Sequence, residues 1–444
     1  MRIAVIGGGL GGLAAAHALV EAGHDAHVLE AASRAGGVIE TSRVDGFVRE
    51  HAASSFLGSP ARGARALCER LGVPLDKASP RAKRRWIYID GKLRALPRNP
   101  VELVRSDLLT WRGKLDLLRE PLRPPRGEHD ESVHAFAARR FGAEAARAIV
   151  APFVTGVFAA DAHDISLEAG FPRLAELDAA GGIVRGFAGQ AAKAAFRRIA
   201  GGRKPRTPSG LFAPTGGIGA LVEALAKKLG PRVHLATRVG EVAPSPGGVR
   251  VDGEAWGAAV LAIPAEDAAK IVGPVPHLAS RLAAFHRAPS AIVYLGYPEA
   301  AVPRAVDGFG FLVALGEDLR VLGVVFESVV WPGRAPVGQV LLRCIFGGGR
   351  DPQAAALPDA DLIAHARHDV EKVLGARGEP THASVVRWPR GIAQYALAHR
   401  DLVRAAVTAA RTHRIALAGA DYRGPGVNDL CADADVIVEE VRSW

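Results

Sequence analysis

The stretch RIAVIGGGLGGLAAAHALVEAGHDAHVLE (2–30) leaves few folds open to this chain. RIAVI has the composition of a buried strand, and Gly7-x-Gly9-x-x-Gly12 follows it at once. LAAAHALVEAG then reads as a helix ending at Gly23, and HDAHVLE (24–30) as the next strand, closing on Glu30. A glycine triplet of this kind carries meaning only in such a strand–turn–helix–strand setting with an acidic residue further on. Gly7 permits the tight turn, Gly9 lets a pyrophosphate approach the backbone, and Gly12 lets the helix pack on the strand. Gly8, Leu10 and Gly11 complete the loop. The phosphates are expected at the helix N-terminus, where unpaired N–H groups carry about half a positive charge. Glu30, followed by Ala31, is placed to accept hydrogen bonds from ribose hydroxyls. The stretch predicts a Rossmann-type dinucleotide site.

NAD and FAD both use this turn, and the segment after it separates them. In EAASRAGGVIETSRVDGF (30–47), Arg34, Gly36, Gly37 and Thr41 resemble the E-x-x-x-R-x-G-G-x-x-x-T extension of the amine-oxidase-like flavoproteins. In that superfamily the chain continues along the FAD pyrophosphate, and two glycines allow close backbone approach. The resemblance implies FAD.

Size and composition narrow the remaining choices. A chain of 444 residues holds two or three domains with cores of their own. The sequence contains no apolar run of the roughly 18 residues a membrane-spanning helix needs. A first strand beginning at Arg2 leaves no room for a signal or transit peptide, so the expected location is cytoplasmic, with the inner membrane's cytoplasmic face as a peripheral site. Cys68, Cys344 and Cys431 are widely spaced and form no C-x-x-C pair, which argues for a reducing compartment and against zinc or iron–sulfur ligation. His365 and His368 share a helical face without a third ligand nearby, and no metal is expected. Residues 81–210 hold 24 Lys or Arg against 14 Asp or Glu, which already accounts for the chain's net charge of +10. This surplus suits an anionic substrate, an anionic membrane surface, or a solvated face. No recognised nucleic-acid motif accompanies it, so no nucleic-acid partner is expected. A homodimer is left open.

Further along, RRWIYIDGKLRALP reads as a hairpin turning at Asp90-Gly91. From about 99 to 200 the pattern is helical and basic, with breaks at PLRPPRG (121–127) and KPRTP (204–208). GGIGALVEALAKKLG (216–230) places Ile218, Leu221, Val222, Leu225 and Leu229 on one helical face. RVHLATRVGEVAPSPGGVRV alternates strand and turn, and GAAVLAIPA is a buried strand stopped by Pro264. SAIVYLGY, GFGFLVA, LRVLGVVFES and GQVLLRCIFGG predict an antiparallel sheet, followed by a helix over 359–375. RIALAGA is a final strand, and Leu430, Ala434, Ile437 and Val441 mark the last helix.

Several of these stretches are similar, in order and over nearly the whole chain, to the protoporphyrinogen oxidases of haem biosynthesis. They are the hairpin, PFVTGVFAADAHDISLEAGFPRL (152–174), DGFGFLV (307–313), LGVVFESVVWPGRAPVGQVLLRCIFGG (322–348), RWPRGIAQYALAH (387–399) and GADYRGPGVNDL (419–430). The RAP-x-G strand pair and the RW…QY…H stretch are the most specific. The resemblance implies an α/β and α+β architecture with three parts. A discontinuous Rossmann-type FAD domain would comprise 1–54, 201–265 and 396–444. A β-sheet substrate domain would comprise 55–90 and 266–395, and an inserted helical, membrane-associated domain 91–200. It also implies oxygen-dependent oxidation of protoporphyrinogen IX to protoporphyrin IX with hydrogen peroxide as by-product.

Flavin carries the redox step in such enzymes and the protein holds the macrocycle, so no catalytic acid or base is assigned. Carried over residue by residue, Ala52, Ala53, Ser54 and Ser55 lie beside the flavin and Trp388 against it. Val239 meets the adenine region through its backbone. Gly156 to Ala160 line the substrate pocket through their backbone, and Leu322 packs on the macrocycle. The second glycine loop, with Gly419, Gly424, Gly426 and Val427, sits under the isoalloxazine, its N–H groups facing the flavin's N1–C2=O edge. The chain departs from the family where Ala52-Ala53 replaces Gly-Pro, and where alanine stands at 160, 393, 398 and 420. Three readings compete with this one: coproporphyrinogen oxidation on the same fold, a flavin amine oxidase, and a non-catalytic porphyrin- or flavin-binding module.

Overall fold

The computed structural model describes residues 1–58, 63–125, 127, 129–186, 210–304 and 306–444. Two sheets organise it. The first is parallel and five-stranded, in the order Val233–His234, Asp25–Leu29, Arg2–Ile6, Ala258–Leu261, Ile415–Leu417. Alternation in its short apolar strands feeds two cores. Ile3, Val5 and Val260 pack with helices Leu10–Glu21, Gly219–Leu229 and Val427–Arg442. Ala4, Ile6 and Leu261 pack on the opposite side with Ala265–Ile271, Pro276–Leu282 and His399–Arg411.

The second sheet has seven strands: His382–Ala393, Arg287–Pro298, Gln339–Gly347, Gly323–Phe326, Gly310–Val313, Trp86–Ile89 and Lys92–Ala95. It is antiparallel as expected, except where Gly310–Val313 runs parallel to Trp86–Ile89. One face is covered by helix Asp359–Leu374 through Leu362, Ala366, Val370 and Val373. The other turns towards the parallel sheet: Val325 joins the core of helix Leu10–Glu21, and Ile292, Tyr294 and Leu341 close over Phe47.

Strand pairing moves two expected boundaries. The division at 90/91 cuts the hairpin Trp86–Ile89/Lys92–Ala95, whose strands share one sheet, so the sheet segment extends through Ala95. The division at 265/266 separates Ala265–Ile271 and Pro276–Leu282 from the five-stranded sheet whose apolar face they cover. Between 100 and 179 the chain is helical, and side-chain caps start its helices. Asn99, Thr110, Ser132 and Ser166 each accept the N–H three residues on, satisfying a donor that the helix leaves free. The KPRTP break and the end of the helical stretch lie outside the described residues. No described helix is long and apolar enough to cross a membrane.

Buried polar groups join the second sheet to the two-stranded hairpin Thr41–Val44/Phe47–Glu50 and to the start of helix Gly219–Leu229. Arg334, of the RAP-x-G stretch, is paired with Glu50 at 2.8 Å and with Glu327, and both carboxylates are fully enclosed. Glu50 also accepts the hydroxyl of Thr41 at 2.7 Å and the N–H of Ile218 at 3.0 Å. Tyr294 donates its hydroxyl to the Glu50 carbonyl and accepts the Glu50 N–H. Burial pushes the Glu50 carboxyl above the ordinary range, and Arg334 opposes it. Arg334→Ala leaves two buried carboxylates without their cation, and should lower unfolding free energy by about 3–5 kcal/mol in urea titrations.

Candidate functional site

The two glycine loops, some 400 residues apart in sequence, meet at the end of the parallel sheet. A Cβ built on Gly11 would lie 3.7 Å from the Cα of Gly419. The first loop holds its shape by steric necessity at two points. Gly7 has φ +108°, and a Cβ there would sit 2.6 Å from the Ala262 carbonyl oxygen. A Cβ on Gly12 would sit 2.0 Å from the Gly7 carbonyl oxygen, so only glycine lets this helix approach this strand. Gly9 differs: a Cβ there meets nothing within 4 Å. The helix that Gly9 opens has no side-chain cap and no acidic residue in its first turn. An uncapped N-terminus beside an open glycine fits a pyrophosphate.

The 30–41 segment folds along this loop. Gly36 donates its N–H to the Gly8 carbonyl at 2.7 Å, and a Cβ on Gly37 would be 3.3 Å from the Gly9 Cα. Arg34 ties the segment to itself, bonding the Gly37 carbonyl at 2.8 Å and Glu40 at 2.9 Å. Glu30 accepts N–H groups of Gly8 at 2.6 Å and Ala32 at 2.8 Å, next to the exposed Ala31. A carboxylate offers about four lone-pair sites, which leaves two for ribose hydroxyls. The segment before Val239 runs beside it, with the Thr237 N–H bonded to the Glu30 carbonyl at 2.8 Å. The Val239 side chain itself is core.

Loop 51–55 crosses from this site to the second sheet. Trp388, half-buried, donates its indole N–H to the His51 carbonyl at 2.7 Å, and Arg343 donates to the Ala52 carbonyl. Ala53 packs in the core that contains Val325 and Ile345, Ser54 is buried, and Ser55 is half-buried. Gly156 is exposed on helix Ala151–Phe158, where an added Cβ would come within 3.0 Å of Leu312. Leu312 pairs with Gly323, across which a Cβ would also meet Leu312 at 3.0 Å. Leu312, Val325 and Ile345 therefore form an apolar wall between Gly156 and loop 51–55.

Three expectations need correction. Leu322 precedes Gly323, so its side chain leaves the strand on the other face, beside Arg320, His365 and Asp369, away from Gly156. Leu312, Gly323 and Val325 lie on the face towards Gly156 and loop 51–55. Ala160 is fully enclosed in the helical core with Phe158 and Tyr395, and its carbonyl accepts the Thr155 hydroxyl at 3.1 Å, so it lines no pocket. In the second loop, Gly424 donates its N–H to the Tyr395 hydroxyl at 2.9 Å and Gly426 donates to Asp429 at 3.2 Å. Those two donors are committed inside the protein rather than held for a flavin edge. Gly419 keeps its open side, with φ +118° and nothing within 4 Å of a Cβ, and its N–H donates to Asp433 at 3.1 Å. Val427 begins the last helix with its side chain in the core. Ala398, where the family carries glycine, sits at φ +62°. An L-residue there costs about 1–2 kcal/mol.

His365 bonds Arg320 at 3.2 Å, and no cluster of three metal-ligating side chains occurs among the described residues. When bound, FAD supplies hydride acceptance. The chain contributes a pyrophosphate cradle, an indole-anchored loop and an apolar wall. Two glycine substitutions should separate these roles. Gly9→Val should fold with near-native thermal stability yet purify without flavin, because its side chain fills the cradle. Gly12→Ala should lose about 1–3 kcal/mol of stability or more, read by thermal melts of the apoprotein, because helix and strand must part.

The family model for flavin containing amine oxidoreductases matches residues 10–429. Protoporphyrinogen oxidase of Nicotiana tabacum chloroplasts is 29% identical over 429 residues, covering 91% of this chain and 78% of its own. Coproporphyrinogen III oxidase of Propionibacterium freudenreichii is 32% identical over 489 residues, covering 99% and 90%. A crystal structure from Exiguobacterium sp. 255-15 superposes with a TM-score of 0.82 at 22% identity, covering 100% and 98%. The cradle, the second glycine loop and the match across the chain agree: this protein is an FAD-dependent oxidoreductase of the flavin containing amine oxidoreductase family.

Proposed function

We propose that this protein oxidises protoporphyrinogen IX to protoporphyrin IX, passing electron pairs through FAD to molecular oxygen and releasing one hydrogen peroxide per pair. The observation that carries the reading is the wall of Leu312, Val325 and Ile345 facing loop 51–55. It suits a flat substrate that is apolar apart from its propionates. Relatives named as porphyrinogen oxidases, aligned over most of both chains, support it. The conversion needs orientation more than acid–base chemistry: the macrocycle must present a bridging carbon to the flavin while water is excluded. Gly156, without a side chain, lets helix Ala151–Phe158 pack on Leu312 and close that edge of the wall.

Coproporphyrinogen III is the second reading. The Propionibacterium relative, aligned over 99% of this chain, favours it, as does the surplus of Lys and Arg in 81–210, which suits four propionates. An aerobic fluorescence assay with each porphyrinogen decides. Porphyrin should form fastest from protoporphyrinogen; faster turnover of coproporphyrinogen promotes the second reading, and bound flavin without turnover of either rejects both.

The helical part is proposed to rest on an anionic bilayer. Val104, Trp111, Leu118 and Leu122 are more than 60% exposed there, among Arg105, Arg112, Lys114 and Arg119. Exposed apolar side chains interleaved with cations suit a headgroup layer, and a substrate that partitions into lipid. Replacing Leu118 and Leu122 together by Glu should reduce co-sedimentation with phosphatidylglycerol-containing vesicles at least tenfold while leaving the bound flavin spectrum unchanged.

A further inference from the structure

The RWPRGIAQYALAH stretch reaches loop 51–55, the end of helix Ala151–Phe158 and the second glycine loop. Trp388 holds the His51 carbonyl, Gln394 donates to the Phe158 carbonyl at 3.1 Å, and Tyr395 reaches the second glycine loop. Tyr395 is 3% exposed. One face of its ring stacks on His399, with centroids 4.1 Å apart and planes 17° from parallel, and it also meets Phe158 at 5.4 Å. Its hydroxyl donates to the Ala420 carbonyl at 2.5 Å and accepts the Gly424 N–H at 2.9 Å. Between those two residues, Asp421 is held by Arg287 at 2.8 Å and by the Ala265 N–H at 2.9 Å.

We propose that Tyr395 is the positioning residue of the second glycine loop. By joining Ala420 to Gly424 it fixes the curl of that loop and holds Gly419 against Gly11, where the cofactor passes from one loop to the other. The inference rests on the assignment of these loops to the FAD site. A group that donates and accepts at once is required, because one partner is a carbonyl and the other an N–H. Burial keeps the phenol neutral and therefore a donor, pushing its ionisation above the ordinary range. Without the hydroxyl, Gly424, at φ +127°, is released to relax and its N–H is left without a partner.

The test is Tyr395→Phe. Apoprotein titrated with FAD should bind it about tenfold more weakly than wild type, the effect of losing a buried hydrogen-bond pair. The variant's flavin absorption bands and two-electron midpoint potential should shift, while Tyr297→Phe, in the core of the seven-stranded sheet, should move none of the three. A folded Tyr395→Phe protein with wild-type affinity, bands and potential overturns the proposal. So does weaker binding with unmoved bands and potential, which is what loosened packing alone produces. Wild-type protein that takes up no FAD instead overturns the assignment of the site. If Tyr395→Phe does not fold, hydrogen exchange in the wild-type apoprotein decides: the Gly424 amide should be protected at least tenfold, and exchange at the unfolded rate rejects the bond.

Discussion

The site depends on how closely one helix approaches one strand. Gly12 brings the Leu10–Glu21 helix to the Gly7 carbonyl at a separation that no Cβ could occupy. That approach directs the helix's free N–H groups at the space beside Gly9, and it brings Gly11 to Gly419. A helix displaced by even one methyl group would separate the two glycine loops. The remaining architecture works as support for this geometry. Gly219–Leu229 and Val427–Arg442 flank the first helix over the same face of the sheet, sharing its core through Leu13, Leu221, Leu225 and Ile437.

Polar side chains tie the second sheet to the hairpin and loops that flank the parallel sheet. The two sheets also share apolar contacts, Val325 with the core of helix Leu10–Glu21, but apolar burial is non-directional. Arg334 between Glu50 and Glu327, Arg343 on the Ala52 carbonyl, Trp388 on the His51 carbonyl and Tyr395 on Ala420 and Gly424 are directional. Buried pairs of this kind add little net stability over apolar replacements, but they are expensive to break. Their placement around loops 51–55 and 419–427 lets the second sheet set the geometry of the first sheet's cofactor loops. The sequence motifs RAP-x-G and RW…QY…H thereby acquire a physical meaning: they are the residues that span the gap.

Much of this was legible in the chain. The glycine triplet, the Glu30 position, the Asp90-Gly91 hairpin and the helices around 219–229, 359–374 and 427–442 follow from local spacing and turn chemistry, and each element lies where its pattern indicates. The misassignments share one cause. Leu322 and Val325 both lie in an apolar strand pattern, and whether one or the other faces the site depends on register against Gly310–Val313. A one-residue difference exchanges the faces. Ala160 and the amides of Gly424 and Gly426 were misread for a related reason. Their partners, Thr155, Tyr395 and Asp429, are set by three-dimensional packing, and no spacing rule reports which donors a folded loop has already used.

By itself, the sequence determined the cofactor class, the Rossmann-type half and the glycines at which strand, turn and helix meet. Glycine at fixed spacing is a local steric requirement, and local sterics are written in consecutive residues. Only the tertiary structure decided which side of the second sheet meets the flavin loops, that Leu312 and Val325 form the wall, and that Tyr395 closes the second loop. Those outcomes depend on strand register and on side-chain contacts between separated segments, from Tyr395 and Gly424, 29 residues apart, to Trp388 and His51, 337 apart, where the energy of each contact is shared between partners that neither segment specifies alone.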